Sequence, residues 1–146
     1  MKISIKKFNE LTTENIYSIL ELRSEVFVVE QNCVYQDIDK KDQNAYHVIG
    51  IKDNQLIAYS RIFDSGDYFS KPSIGRIVVK EEYRGLSLGY QLVKESIVFI
   101  EKNFIDKTII ISAQKYLIKF YNTFEFIQQG EEYLEDGIPH VKMIRK

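Results

Sequence analysis

The segment from Ile74 to Ser112 constrains the possible folds more than any other part of this chain. Ile74–Val79 is apolar enough for a buried strand, and after a polar connection the apolar residues from Leu92 to Phe104 recur at helical spacing. Residues 108–112 then form a short apolar run that is typical of a central strand. A strand, a helix and a strand in this order join two parallel strands by a crossover that is nearly always right-handed. The segment therefore predicts one parallel pair at the centre of a sheet.

The segments on either side of this unit predict strands that pair as hairpins. Two strands are expected around the turn Asp53-Asn54, and two more around Asp136-Gly137, a dipeptide that favours a type I′ turn. The predicted strands outside the crossover are residues 3–8, 46–51, 56–63, 126–134 and 138–144. Helices are expected from Thr13 onward and over 116–124. The predicted fold is α/β (α+β): a mixed, mostly antiparallel sheet of about seven strands with helices on both faces.

Composition narrows the class of protein. A chain of 146 residues fits a single domain, here expected over residues 1–146, and it is long enough to bury a core without disulfides. The net charge is −1 and no basic cluster is visible, which disfavours nucleic acid as a partner. There is one cysteine, no apolar run long enough for a membrane span, and no signal-peptide pattern at the start. We expect a cytoplasmic protein without a membrane partner and without a metal site.

The connection between the first crossover strand and its helix carries the clearest chemical signal. Arg84–Gly89 is a polar turn with two glycines, placed directly before a helix. Backbone N–H groups at a helix start bind anions, and glycine lets a phosphate approach the backbone closely. Arg84 adds a permanent cation. The turn therefore predicts a pyrophosphate site.

This turn departs from two known phosphate-binding motifs and matches the letters of one nucleophile motif. The spacing of the dinucleotide fingerprint is absent, and the P-loop fails because Tyr90 follows Gly89. Gly85–Gly89 does match the Gly-x-Ser-x-Gly elbow of serine hydrolases, with Ser87 as the nucleophile. Residues 80–84 separate the strand from the glycine, however, and His140 is the only later histidine. A serine hydrolase is therefore a minor alternative.

The whole pattern resembles the GNAT superfamily of N-acetyltransferases. Its motif A has Gln or Arg, two residues, Gly, one residue, and Gly or Ala; Arg84 and Gly89 match, and Ser87 stands at the first glycine. Residues 26–39, with Asp42 and His47, are similar to the ElaA-like branch of this superfamily. Residues 135–140 (EDGIPH) carry the same resemblance, which covers nearly the whole chain.

The resemblance implies a fold, a cosubstrate and several site residues. Backbone groups of Ile77, Val78 and Val79 would pair with the pantetheine of acetyl-CoA, and an N–H near Val78 or Val79 would stabilise the oxyanion. The pyrophosphate would be held by Arg84, Gly85, Leu86, Ser87, Leu88 and Gly89. The acetyl group would pass directly from the thioester to an amine. Tyr121 would then protonate the leaving thiolate.

The sequence leaves several points open. Glu30, Asp37, Asp39 and His47 are candidates for the base by residue type only. The acceptor is a small-molecule or peptide amine of unidentified structure, and the acidic loop 37–42 is expected to face solvent. Because relatives commonly dimerise, a homodimer is one expectation for the assembly. A catalytically silent CoA-binding module is the alternative function.

Overall fold

The computed structural model describes all residues 1–146, and their order of elements follows the sequence prediction closely. The strands are β1 Lys2–Lys7, β2 Tyr46–Lys52, β3 Gln55–Phe63, β4 Ser73–Val79, β5 Ile109–Gln114, β6 Ile127–Gln128, β7 Tyr133–Glu135 and β8 Ile138–Arg145. The helices are α1 Thr13–Arg23, α2 Leu88–Asn103 and α3 Ile118–Asn122. A π-helical segment, Ser24–Glu30, continues α1 without a break. No helix is both long and apolar enough to cross a membrane.

The strands form one mixed sheet in the order β1-β2-β3-β4-β5-β8-β6, and β7 also pairs with β8. Only β4 and β5 are parallel, which confirms the predicted crossover through α2. The sheet has eight strands instead of about seven, because the predicted strand 126–134 is divided into β6 and β7. Gly130 lies between them with φ +83°, a left-handed conformation that interrupts the extended chain.

Helices cover both faces of the sheet, as the sequence predicted. On one face α1 and the π-helical segment bury a small cluster made of Ile19, Leu22, Val26, Ile49, Tyr59 and Val78. On the other face α2 contributes Leu92, Val93 and Ile97 to the larger core. Val48 belongs to the larger core and Ile49 to the smaller cluster, because successive strand side chains point to opposite faces. Both faces of the central strands are therefore covered by helices.

Local chemistry fixes where α1 begins and where the last hairpin turns. Thr12 Oγ1 accepts a hydrogen bond from the amide of Asn15 at 3.0 Å, and Asn15 Oδ1 accepts one from the amide of Thr12 at 3.1 Å. At the other end of the chain, Asp136 and Gly137 both have positive φ, at 52° and 78°. These are the values that a type I′ turn requires, and they place β7 against β8.

The parallel strands β4 and β5 are paired only at one end. Ser73 lies opposite Ile110, and the amide of Ile110 donates to Pro72 O at 2.9 Å. No further pair joins the two strands, although β4 continues to Val79 and β5 to Gln114. Their carboxyl ends therefore diverge, and the divergence opens the sheet toward the start of α2.

Candidate active site

A cleft of about 660 Å³ occupies the space between the diverging ends of β4 and β5. Ile77, Val78 and Val79 line it from β4, and Gln114 lines it from the end of β5. The turn before α2 and Tyr121 of α3 also line the cleft. The predicted site residues of the strand, the turn and the last helix are therefore brought to one cavity.

Unused backbone donors are concentrated at the turn before α2. No backbone N–H from Gly85 to Tyr90 donates to a protein acceptor. The first amide that does so is Gln91, which donates to Ser87 O at 3.2 Å. These are the free donors of a helix start together with those of the preceding turn, and the helix dipole adds positive potential. The segment is suited to bind an anion with several oxygens.

Ser87 occupies the left-handed conformation that glycine favours, with φ 60° and ψ 21°, and it is the residue immediately before α2. Gly85 has φ +82°. Leu86, although named with this turn, has a side chain that is exposed and lies outside the lining of the cleft. The turn thus keeps its shape with serine at the usual glycine position, at the cost of local backbone strain.

The same geometry gives no support to the serine hydrolase. Between the end of β4 and Ser87 lies the 3-10 turn Glu81–Tyr83, so the serine does not follow the strand directly. Neither histidine lines the cleft that contains Ser87. A nucleophile elbow needs both features.

Arg84 lines the cleft, and its guanidinium is paired within the protein. Its Nη1 and Nη2 donate to the two carboxylate oxygens of Glu30 at 2.6 and 3.0 Å. Its Nε donates to Val79 O at 2.9 Å. This fork ties the turn to the end of the π-helical segment and to β4, so Arg84 shapes the site more than it adds charge to it.

A bulge in β4 changes the direction of the backbone beside the cleft. Tyr59 of β3 lies opposite Val78 and Arg61 lies opposite Gly75, so β4 has one extra residue between these pairs. Arg76 lies in the bulge with φ 50°. A bulge leaves a residue out of the ladder and turns the local backbone, and it is common beside active sites. Ile77, which follows Arg76, lines the cleft.

Tyr121 lies where the large cleft meets a smaller cavity of about 110 Å³. Its side chain is almost fully buried and packs with Phe120 and Phe126. Burial raises the pKa of Tyr121 above the ordinary value of a phenol, and nearby Tyr116 raises it further. The hydroxyl therefore keeps its proton throughout the neutral and mildly alkaline range.

The smaller cavity was not found from the sequence. It shares Phe27, Gln31, Ile77, Gln114, Leu117 and Tyr121 with the large cleft. Its other polar or titratable lining residues are Cys33, Tyr35, Arg76, Ser112, Glu135, Asp136 and His140. The sequence contained one indication of this cavity: residues 135–140 resemble the ElaA-like branch. That resemblance did not show which residues they contact.

The buried Arg23 and Arg61 and the half-buried Arg76 neutralise the acidic loop, which corrects the expectation that it faces solvent. Arg23 Nη1 and Arg61 Nη1 both donate to Asp42 Oδ1, at 2.8 and 2.9 Å. The other contacts of this network are Arg23 Nε to Asp37 Oδ2 at 2.9 Å, Arg61 Nη2 to Asp39 Oδ2 at 2.5 Å and Arg76 Nε to Asp37 Oδ1 at 2.8 Å. Asp37 and Asp39 are thereby committed to arginines and are poor candidates for the base.

His47 is equally committed to the interior. Its Nε2 lies 2.9 Å from Asp42 O, and since a carbonyl only accepts, Nε2 carries the proton. Its Nδ1 accepts from Tyr59 Oη at 2.7 Å. Burial lowers the pKa of His47, which favours this neutral form. With both nitrogens occupied, His47 has no lone pair for a substrate.

The network predicts a specific dependence of stability on pH. Burial alone would raise the pKa of Asp39, but hydrogen bonds and charge from Arg61 outweigh burial and lower the pKa to about 2. The pKa of Asp42 is lowered in the same way by Arg23 and Arg61. Since the unfolded carboxyls bind protons more tightly, this stabilisation is complete above roughly pH 4 and is lost as the pH falls toward 2.

We therefore expect the free energy of unfolding from urea titrations to fall steeply between about pH 4 and pH 2. A smaller decrease should begin below about pH 6.5, because the lowered pKa of His47 also makes the unfolded chain the better proton binder. A stability that stays level down to pH 2 would contradict the assigned ion pairs.

A model of the acetyltransferase (GNAT) domain matches residues 9–146, so the chain belongs to the GNAT acetyltransferase family, whose members transfer acyl groups from CoA. Within it, the chain is 43% identical over 140 residues to protein ElaA of Escherichia coli (strain K12), covering 94% of this chain and 92% of that protein. The resemblance to the ElaA-like branch is thus confirmed.

Two crystal structures share the fold over the full length of the chain. An acyl-CoA N-acyltransferase from Pseudomonas aeruginosa superposes with a TM-score of 0.93 at 37% identity and covers 100% of both chains. Escherichia coli ElaA superposes with a TM-score of 0.93 at 40% identity and covers 99% of both chains. The mixed sheet with its single parallel pair is therefore the fold of this family.

Proposed function

We propose that the chain is an N-acetyltransferase that moves the acetyl group of acetyl-CoA directly to the nitrogen of an amine. The observation that carries the proposal is the row of free amides from Gly85 to Tyr90 at the rim of a cleft formed by diverging β4 and β5. A diphosphate fits these donors, and a linear pantetheine fits the gap beside Ile77–Val79. The residues present therefore fit CoA.

The chain's own groups supply the remaining chemistry of the proposal. The unpaired edge of β4 from Ile77 to Val79 binds the pantetheine amides, and one backbone N–H beside the bulge stabilises the oxyanion of the thioester carbonyl. Acetyl-CoA contributes an activated acyl group. Tyr121 holds the proton that the departing thiolate requires. Arg84 and Glu30 keep the turn in the conformation that presents its amides.

A change of charge at Gly89 tests the diphosphate site without disturbing the fold. A Cβ at this position would have only ordinary contacts, 3.9 Å from Phe120 and Val79, so a side chain fits. In the Gly89→Asp variant, a carboxylate in the first turn of α2 should leave the helix as stable or more stable. It should repel the diphosphate and weaken CoA binding by about tenfold, measured by calorimetry, relative to the neutral variant Gly89→Asn.

Equal CoA affinity in Gly89→Asp and Gly89→Asn would contradict this placement of the diphosphate. Turnover is tested separately, by thiol release from acetyl-CoA with a polyamine, an amino sugar, an aminoglycoside and a peptide with a free N-terminus. Release with at least one amine supports the transferase. Tight binding of CoA with no release from any of them would favour the silent module.

A further inference from the structure

The smaller cavity beside Tyr121 carries polar side chains that the proposed CoA cleft does not use. Ser112 lies on β5, Glu135 ends β7 and His140 lies on β8, and all three line this cavity but not the large cleft. Ile77 and Tyr121 line both. A molecule in the smaller cavity would therefore lie against the same strand and the same tyrosine that flank the thioester in the proposed function.

Glu135 is held from two sides at this cavity. Its Oε2 lies 3.2 Å from His140 Nε2, and its Oε1 accepts from Ser112 Oγ at 3.3 Å. Ser112 also hydrogen-bonds Tyr133 Oη. The side chain of Glu135 is nevertheless 45% exposed, so its carboxylate has access to a ligand and to water. The tight turn at Asp136-Gly137 fixes its backbone.

His140 serves to orient Glu135. Its Nδ1 donates to Ile138 O at 2.7 Å, which points Nε2 at the carboxylate, and this contact becomes a hydrogen bond when Nε2 also carries a proton. The His140 side chain is only 7% exposed, and its backbone lies between Gln114 of β5 and Tyr133 of β7. An imidazole confined in this way limits the rotamers of Glu135.

The remaining charges make the cavity favourable for a cation. Arg76 also lines it, but its guanidinium is paired with Asp37, through Nε at 2.8 Å and through a hydrogen bond from Nη2 to Asp37 O at 3.1 Å. Asp136 adds a second carboxylate to the lining. The other titratable groups of the lining are Cys33, Tyr35, Tyr121 and His140. Neither Glu135 nor Asp136 has an arginine partner, and Glu135 is the one whose carboxylate is oriented by His140 and Ser112.

We propose that this cavity is the acceptor site, that it takes a compact primary amine as its ammonium ion, and that Glu135 binds this ion and accepts its proton. This rests on the proposed function.

In the proposed reaction, one ammonium proton passes to Glu135, and the nitrogen lone pair forms the new bond to the thioester carbon. The carbon–sulfur bond breaks, and the thiolate takes the proton of Tyr121. The nitrogen loses its second proton through water to the Tyr121 phenolate, and Glu135 releases its proton to water. The balance is ammonium plus acetyl-CoA giving amide, CoA thiol and one proton.

Binding is tested by nuclear magnetic resonance without any need for turnover. Addition of CoA to isotope-labelled protein should shift the amides of residues 85–90. Addition of n-butylamine, which is an ammonium ion at neutral pH, should then shift those of residues 112 and 133–140, and 1-butanol should not. Glu135→Gln should weaken the butylammonium affinity about tenfold, and Asp136→Asn should change it by less than about threefold.

The two sets of resonances separate the two proposals. No shift over 85–90 with CoA means that the proposed function fails. Shifts there, with no response of 133–140 to butylammonium or with equal affinity in Glu135→Gln, overturn the acceptor site alone. The response of Glu135→Gln is therefore decisive for the ammonium site.

The proton step has its own test, with n-butylamine and with 2,2,2-trifluoroethylamine, which is largely unprotonated at neutral pH. Glu135→Gln should lower kcat about 100-fold for butylamine and much less for the fluorinated amine, which needs no base. His140→Asn, a positioning variant, should raise KM for butylamine more than it lowers kcat. Equal losses for both amines in Glu135→Gln, or no turnover of bound butylamine by the unmodified protein, would overturn the proton step.

Discussion

Replacement of Tyr121 by phenylalanine should lower kcat about 100-fold while leaving CoA affinity nearly unchanged. The ring lies in the core with Phe120 and Phe126, and phenylalanine preserves these contacts. The variant should therefore fold with the stability of the parent. The Tyr121→Phe variant lacks only the hydroxyl group, whose proton lies where the two cavities meet. Thiol release under saturating acetyl-CoA measures kcat, and calorimetry measures CoA affinity.

Burial has two effects on this tyrosine that bear on the prediction. By raising the pKa of Tyr121 it makes the phenol a weaker acid than it is in water. The same desolvation also raises the proton affinity of a thiolate leaving into the cleft, because burial disfavours every anion. The pKa of the Tyr121 phenol and that of the leaving thiol are thus shifted in the same direction. Because the pKa is raised, loss of this proton should not reduce turnover up to about pH 10.

Tyr116 offers a matched control for this variant. It also lines the large cleft, but its side chain is largely exposed to solvent. Tyr116→Phe should change kcat by less than about twofold, since water can replace an exposed phenol. If Tyr121→Phe behaves like Tyr116→Phe, then Tyr121 has no part in the chemistry and its role is confined to packing.

The largest effect on stability is expected from Asp42→Asn. A single oxygen of Asp42 accepts from both Arg23 and Arg61, whose side chains are 0% and 2% exposed. The amide keeps the shape but removes the charge, so two buried guanidinium groups lose a shared counter-ion. Removal of one partner of a buried pair typically costs 3–5 kcal/mol. Because Asp37 and Asp39 remain, we expect about 3 kcal/mol, or roughly 10 °C in Tm.

Urea denaturation measures this loss, and an exposed ion pair provides the control. Lys115 Nζ and Glu132 Oε2 lie 2.8 Å apart, with side chains 58% and 42% exposed. Glu132→Gln should cost less than about 1 kcal/mol, since exposed pairs contribute little. Equal costs for Asp42→Asn and Glu132→Gln would mean that the buried network is not a source of stability. Asp42→Asn should also reduce the decrease in stability below pH 4.

Short-range sequence patterns predicted most of the strands and helices, and they predicted the anion-binding turn of the candidate active site. The strand–helix–strand pattern of 74–112 specified the one parallel pair, and Asp136-Gly137 specified the last turn, because each depends on residues that are neighbours in the chain. The same holds for the free amides of the turn before α2. Its glycines and the helix that follows are contiguous, so the sequence alone identified the anion site as a prediction.

Only the tertiary structure decided which distant groups meet. Cys33 Sγ donates to Asp136 O across 103 positions of the chain, and Gln114 reaches Gln31 across 83. No local pattern encodes such pairs, so the smaller cavity and its Glu135 could not be derived from spacing. The acidic loop shows the same limit: its charges suggested solvent, whereas arginines from three other elements bury them. Local rules determine which elements form, and packing over long sequence distances determines which charges are paired and which stay free to react.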